Sequence, residues 1–329
     1  MKAIVVHEGE REPLLVWEEV ADVGFGPDEV LVDVGATAVN RADLSQARGH
    51  YPPPPGASEI LGLEMAGTIA EVGEDVTDWS VGDRVCALLA GGGYAQKTAV
   101  SAQMLLRLPD EWSFEMGTAV PEVWYTAYVN LFLEGDLKHG EIVLIHAGAS
   151  GVGTAAIQLA REAGAHIFVT AGTDEKLAYC RQLGAELAIN YKQEDFLEQI
   201  NIKTNGEGVD LILDPVGGSY LSRNVRALRR FGRLINIGTL GGINGEMNTG
   251  LLLGKRLRII GSTLRSRPPA EKIKITQQFE SGFWPLLKSG QLRPVIDTTF
   301  SIEEAQAAHE YVAQNKNIGK VVLKMATPI

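Results

Sequence analysis

The sequence predicts an α/β protein, a doubly wound parallel sheet together with a compact β-rich domain, and three observations predict it. The run Ile142-Val143-Leu144-Ile145 is apolar and mostly β-branched, as a strand buried on both faces requires. Gly148, Gly151 and Gly153 follow it, and Thr154 to Ala160 reads as a helix, giving strand, glycine turn, helix. Beyond it, strand-like runs alternate with helical stretches, the pattern of a parallel sheet with crossover helices. Residues 1–120 differ: short strands are separated by Gly, Pro and Asp clusters, which favours a β-rich barrel.

The elements follow in order. Met1 to His7 reads as an opening strand, with further strands at 29–34, 67–73 and 84–89. Tyr51-Pro52-Pro53-Pro54-Pro55-Gly56 is a stiff loop, because proline fits neither a helix interior nor a central strand. After the strand at 142–145 come strands at 166–171, 187–190, 209–214, 233–238 and 257–263. Helices are expected at 174–183, stopped by Gly184, and near 193–204 and 218–229. An Arg/Pro-rich segment at 264–269 leads to a helix from about 270 to 289 and a strand at 294–300. Ser301, with Glu304 three residues later, opens a helix running to about 314, and 320–324 closes as a strand. This tail is no complete βαβ unit and is expected to return to the first domain.

A chain of 329 residues is long enough for about two domains. Its net charge of -11 excludes a broad nucleic-acid footprint. Two cysteines, Cys86 and Cys180, fit a reducing cytoplasm better than a secreted scaffold, with a disulfide between them left open. No stretch is long and apolar enough to span a membrane, and the first residues carry no signal core or transit composition. The expected setting is cytoplasmic, without nucleic-acid or membrane partners.

The glycine turn is the place for a pyrophosphate: missing Cβ atoms admit the ligand, and the helix N-terminus offers free N–H groups. Its order, Gly148-x-x-Gly151-x-Gly153, departs from the usual G-x-G-x-x-G, and an ordinary βα turn is the alternative. The second strand ends Val169-Thr170-Ala171-Gly172-Thr173, with no acid to bond a ribose 2′-OH. Gly172 leaves room for a 2′-phosphate, and Lys176 one turn on brings positive charge, so NADPH is the expected cofactor. Asp174 suits capping or starting the next helix. Tyr191 packs on the adenine side or donates its hydroxyl. A solvated helix lysine and a half-buried loop aromatic are the alternatives for Lys176 and Tyr191.

Several motifs occur in order: Asn40-Arg41-Ala42-Asp43, Gly62-Leu63-Glu64-x-x-Gly67, Val81-Gly82-Asp83-Arg84-Val85, Ala147-Gly148-Ala149-Ser150-Gly151-Val152-Gly153, Asp214-Pro215-Val216-Gly217-Gly218 and Asn317-Ile318-Gly319-Lys320. Together they resemble the medium-chain dehydrogenase/reductases, in particular the zinc-free quinone oxidoreductase branch that includes zeta-crystallin. The stretches 51–61, 145–159 and 315–322 most resemble the tumour-suppressor-inducible quinone oxidoreductases of animals. The resemblance implies a GroES-like catalytic domain from 1–120 and 291–329, a Rossmann domain at 121–290, and an active site in the interdomain cleft. It implies no metal: Leu63 stands where zinc relatives have His, and Asn40-Arg41 where they carry their first Cys. The six histidines lie in unrelated motifs, so three ligands cannot be assembled on one centre. Glu64 is expected in a buried structural pair.

The resemblance also implies a cofactor site of Asn40, Thr126, Gly148, Ser150, Gly151, Val152, Gly153, Gly172, Lys176, Tyr191, Gly238 and Asn317. Without a Lewis acid, the acceptor must spread negative charge, as quinones and conjugated carbonyls do. Tyr51, fixed by its proline loop, is the candidate donor; an unperturbed phenol with a pKa of about 10 is protonated at neutral pH. Its alternative is a packing wall. Asn40 and Arg41 are expected to orient nicotinamide and acceptor; otherwise they are a turn residue and a surface ion-pair partner. Trp124 and Tyr125 border the cleft or belong to the core. The expected activity is NADPH-dependent quinone reduction, against enal/enone double-bond reduction or a non-catalytic NADPH-binding structural protein. A homodimer is expected through the strand at 257–263, whose open edge is otherwise a liability; the alternative is a monomer whose edge is covered by the segment after Leu264.

Overall fold

The computed structural model describes residues 1–10 and 12–326. The chain divides into two units, Met1–Tyr125 with Leu264–Ile329, and Thr126–Thr263. The first unit opens with β1 (Lys2–His7), β2 (Leu14–Glu19), β3 (Glu29–Val39), α1 (Arg41–Ala47), β4 (Glu64–Val72), β5 (Arg84–Leu88), β6 (Lys97–Ser101) and β7 (Leu105–Arg107). Helices α2 (Phe114–Thr118) and α3 (Pro121–Tyr128) follow. The second unit holds β8 (Ile142–Ile145), α4 (Gly151–Glu162), β9 (His166–Ala171), α5 (Asp174–Leu183), β10 (Leu187–Asn190), α6 (Phe196–Lys203), β11 (Val209–Asp214), α7 (Leu221–Ala227), β12 (Leu228–Asn236), α8 (Thr249–Lys255) and β13 (Arg258–Gly261). The chain then returns with α9 (Pro269–Gly282), α10 (Trp284–Lys288), β14 (Ile296–Ser301), α11 (Ala305–Ala313) and β15 (Lys320–Lys324).

The first unit's large sheet runs β14-β15-β3-β4-β5-β7, with β6 on β3, so strands from both ends of the chain share it. The last strand pairs antiparallel with β3, Val321 opposite Val39. β3 is longer than the 29–34 read from the sequence. Gly35, Ala36 and Ala38 give the extension little strand propensity, but Phe114 packs so close that a Cβ on Gly35 would lie 2.3 Å from its ring.

The boundaries differ from those read in the sequence, and residues 264–290 lie with the first unit. The reason is packing: Phe279 of α9 lies on Tyr125 with ring centroids 4.9 Å apart, and Trp284 meets Trp112 edge-on at 5.4 Å. The single helix expected from 270 to 289 is two helices broken at Phe283, because Pro285 in the first turn of α10 has no N–H to continue the ladder.

The second unit's sheet is parallel, in the order β10-β9-β8-β11-β12-β13. This is a GroES-like unit joined to a doubly wound Rossmann-type sheet. The chain winds one way from β8 and the other way from β11, so the switch point, where such sheets take their ligands, lies at the carboxyl ends of those two strands. Leu144, Phe168, Ile212 and Leu234 from the strands are buried against Phe196, Ile200 and Val225 from the helices. Each contributes up to about 1.5–3 kcal/mol. Among the described residues no helix is long and apolar enough to cross a membrane, and Cys86 and Cys180 are free buried thiols.

Candidate functional site

In the second unit the glycine turn closes the end of β8. Ala147 takes a left-handed conformation (φ 52°), which turns the chain so that Gly148 N–H donates to Thr170 O at 2.9 Å. α4 begins at Gly151, three residues before the sequence reading, because Ser150 caps it: its hydroxyl accepts from Gly153 N at 3.0 Å. The N–H groups of Gly151 and Val152 then have no intrahelical acceptor and stand at the positive end of a twelve-residue helix. Gly153 is obligatory here, since a Cβ would fall 2.4 Å from Ala147 O and 2.5 Å from Gly148 O. A pyrophosphate fits this cradle.

Behind the turn a buried relay fixes the neighbouring loops. His146 Nε2 lies 2.8 Å from Asn224 Oδ1 and Nδ1 3.0 Å from Thr170 Oγ1. Asn224 Nδ2 donates to Asp214 Oδ2 at 2.9 Å, and Asp214 Oδ1 accepts from Val216 N at 2.7 Å. Burial holds the His146 imidazole below its ordinary pKa, hence neutral. Gly238 closes against Pro215 O, 2.8 Å from where its Cβ would be.

At the tip of β9, a Cβ on Gly172 would lie 2.8 Å from Tyr191 Oη and 3.2 Å from Lys192 Cε, so the Tyr191 phenol and the Lys192 stem both lie against this glycine. Lys192 was missed in the sequence, where it reads as one exposed lysine after a strand. Asp174 starts α5, and Thr173 caps it, its hydroxyl accepting from Lys176 N at 3.3 Å. The Asp174 carboxylate accepts from Asn190 Nδ2 at 3.3 Å, which draws that acid toward β10.

The first unit carries a buried polar cluster. Lys320 Nζ donates to Glu64 Oε1 at 2.6 Å, Asn40 Oδ1 at 2.7 Å and Val39 O at 3.3 Å. Asn40 Nδ2 donates to Glu64 Oε1 at 2.9 Å and Ala38 O at 3.3 Å. Asn40's amide is thus spent inside the cluster, and its N–H is held by Asp43 Oδ2 at 2.8 Å in a capping box. Burial pushes the Asp43 carboxyl up to about 6. Glu64 has the buried pairing expected for it, with Lys320 as partner.

Tyr51 is half-buried, and its loop is fastened by Arg265. The guanidinium donates to Ala90 O at 2.8 Å, Gln46 Oε1 at 2.7 Å and Tyr51 O at 3.3 Å, and lies 5.4 Å from the centroid of the Tyr51 ring. Desolvation raises the Tyr51 phenol above its ordinary pKa, so it is protonated and can donate. Arg41 donates from Nη2 to Asn315 Oδ1, and Asn317 Nδ2 donates to Gly319 O at 2.6 Å. Tyr125 is core, packed on Phe279, and Trp124 is buried. Thr126 O accepts from Asn130 Nδ2 at 2.7 Å. Arg265, Glu122 and Lys320 have no role in the sequence reading, because each acts on residues far away in the chain. Among the described residues no group of three His, Cys, Asp or Glu is placed to hold a metal ion.

Residues 26–110 match the alcohol dehydrogenase GroES-like domain, and residues 151–281 match the zinc-binding dehydrogenase family. The chain is 33% identical to the quinone oxidoreductase of Lama guanicoe, covering 98% of this chain and 97% of that protein. It is 35% identical over 303 residues to a phenolphthiocerol-synthesis type I polyketide synthase of Mycobacterium bovis, covering 92% of this chain and 14% of the synthase. The chain spans 18% of a related Mycobacterium tuberculosis synthase. Among solved structures, the Escherichia coli quinone oxidoreductase complexed with NADPH superposes with a TM-score of 0.86 at 28% identity, covering 98% of both chains. The CurK enoyl reductase gives 0.84 at 31% identity, covering 95% of both.

Proposed function

The chain belongs to the medium-chain dehydrogenase/reductase family, among its quinone oxidoreductase-like members, and from that premise we propose that it is an NADPH-dependent, zinc-independent quinone oxidoreductase. The observation that carries the reading is the Tyr51 phenol, protonated and fastened by Arg265, in a unit whose buried Glu64 is already bonded to Lys320. Such a site offers one hydrogen-bond donor to an acceptor that delocalises charge. The narrower likeness to the tumour-suppressor-inducible branch rests on the stretches 51–61, 145–159 and 315–322.

When bound, the dihydronicotinamide supplies the hydride. The chain supplies the rest. The turn at Gly148–Gly153, capped by Ser150, binds the pyrophosphate through the N–H groups of Gly151 and Val152. Gly172, Lys176 and Tyr191, with Lys192 beside them, take the 2′-phosphate. Asn40 holds the base of the acceptor site in place through Glu64 and Lys320, Arg41 fixes the 315–317 loop, and Thr126, Gly238 and Asn317 line the cofactor as the resemblance implies. Tyr51 donates to the oxygen on which charge develops.

The second reading, reduction of a conjugated enal or enone, draws on the likeness to the CurK enoyl reductase and to the polyketide synthases. Oxidation of NADPH with an ortho-quinone and with a 2-alkenal separates the two. We expect kcat/KM to favour the quinone by at least about tenfold, or 1.4 kcal/mol. The reverse ratio makes the protein an alkenal reductase, and turnover of neither leaves a binding protein.

Cofactor choice has its own test. A phosphate–lysine contact contributes about 1.5–3 kcal/mol. Lys176→Glu should therefore lower the NADPH/NADH ratio of kcat/KM by at least about tenfold, and an unchanged ratio would remove Lys176 from the pocket. We also propose a homodimer joined at β13, where Ile259 is partly exposed and, among the described residues, only β12 pairs with the strand. Light scattering that reads only the 35.5 kDa chain mass would refute it. A cytoplasmic setting accords with the two free thiols.

A further inference from the structure

We propose that Glu122, in the first turn of α3, is a built-in acid that supplies the second proton of the reduction by way of Tyr51. The inference rests on the reductase reading above. Glu122 Oε2 is buried and has no hydrogen-bond partner. Its own N–H donates to Glu64 Oε2 at 2.8 Å, so two carboxyl groups share one corner of the cluster.

The charged and titratable groups facing Glu122 are Glu64 of β4, Asp43 of α1, Lys320 of β15, Lys272 of α9, Arg265 and Tyr51. The bonds of the three cations go elsewhere. Lys320 is bonded to Glu64, Asn40 and Val39 O. Arg265 is bonded to Ala90 O, Gln46 and Tyr51 O, and Lys272 Nζ donates to Arg265 O at 3.3 Å. A carboxylate at Glu122 would thus be desolvated beside two other acids with no bonded cation, the arrangement that keeps a carboxyl protonated. Burial pushes it up to about 8.

In this proposal the proton moves from the stronger acid to the stronger base. The acceptor takes two electrons and one proton as hydride and must gain a second proton. The Tyr51 O–H bond breaks as the new O–H bond forms on the substrate oxygen. The Glu122 O–H proton then passes to the phenolate, whose pKa burial raises above the ordinary phenol value, while that of the acid is about 8. Glu122, left as carboxylate, recovers its proton from water between turnovers.

Infrared difference spectra of wild type minus Glu122→Gln, without substrate, read the carboxyl directly. We expect the C=O stretch of a protonated carboxyl at neutral pH, fading as pH rises through about 8. In turnover, wild-type kcat should fall over the same range. Glu122→Gln should be slower by roughly 10- to 100-fold, toward the lower end for acid–base catalysis, and should lack that limb. Glu122→Asp should restore the limb, which a purely structural role would not. A missing band at neutral pH, or a Glu122→Gln enzyme with wild-type kcat and pH profile, overturns the proposal. A wild type that turns over no acceptor overturns the reductase reading itself, a result distinct from either.

Discussion

Lys320→Met is expected to lower the unfolding free energy by about 3–5 kcal/mol, the cost of leaving a buried acid without its cation. The Lys320 and Glu64 side chains are 3% and 0% exposed, so water cannot take over the lost bonds. The pair also joins distant parts of the chain. Lys320 opens β15, Glu64 opens β4 and Asn40 follows β3, so three strands of one sheet meet at one ammonium. Methionine keeps the length of the stem and removes only the charge and its three donors. Without them the Glu64 carboxyl retains the Asn40 amide and the Glu122 N–H alone. The double variant Lys320→Met/Glu64→Gln should recover much of the loss, because a buried pair is costly mainly when one member is removed. Urea unfolding of the wild type and both variants decides it. A single variant within about 1 kcal/mol of wild type would mean that relaxation or water reaches the site.

What could be read from the sequence was what lies close along the chain. The turn at Gly148 to Gly153 is legible because strand, cap and helix are contiguous, and the alternation of strands and helices gives the parallel sheet. The polar cluster is not legible in this way. Lys320 and Asn40 are 280 residues apart, and Arg265 and Ala90 are 175 apart. No periodicity marks such pairs, so Arg265 reads as part of an Arg/Pro-rich segment and Glu122 draws no reading at all. Asn40 illustrates the converse. Its motif points to a cofactor contact, while its amide hydrogens go to Glu64 and Ala38 O. The extension of β3 was missed because small residues carry little strand signal and are held there by Phe114.

Gly153→Ala is expected to weaken NADPH binding by at least roughly 100-fold while the protein stays folded. The added methyl carbon would lie 2.4 Å from Ala147 O and 2.5 Å from Gly148 O, and both neighbours are backbone. Neither can swing aside as a side chain would. The turn must open, and Ala147 is already committed to a left-handed conformation with Gly148 N–H bonded to Thr170 O. Opening it withdraws the N–H groups of Gly151 and Val152 from the phosphates. Two lost charge-assisted bonds at about 1.5–3 kcal/mol each account for the expected factor. Gly254→Ala in α8 is the control: a Cβ there meets nothing within 4 Å, so the variant should bind normally and be stabilised by up to about 1 kcal/mol. Dihydronicotinamide fluorescence titrations, with circular dichroism to check the fold, measure both. A Gly153→Ala protein that binds NADPH within about twofold of wild type would show that the first turn of α4 does not hold the pyrophosphate; a loss confined to Gly153→Ala would place the phosphates on the N–H groups of Gly151 and Val152.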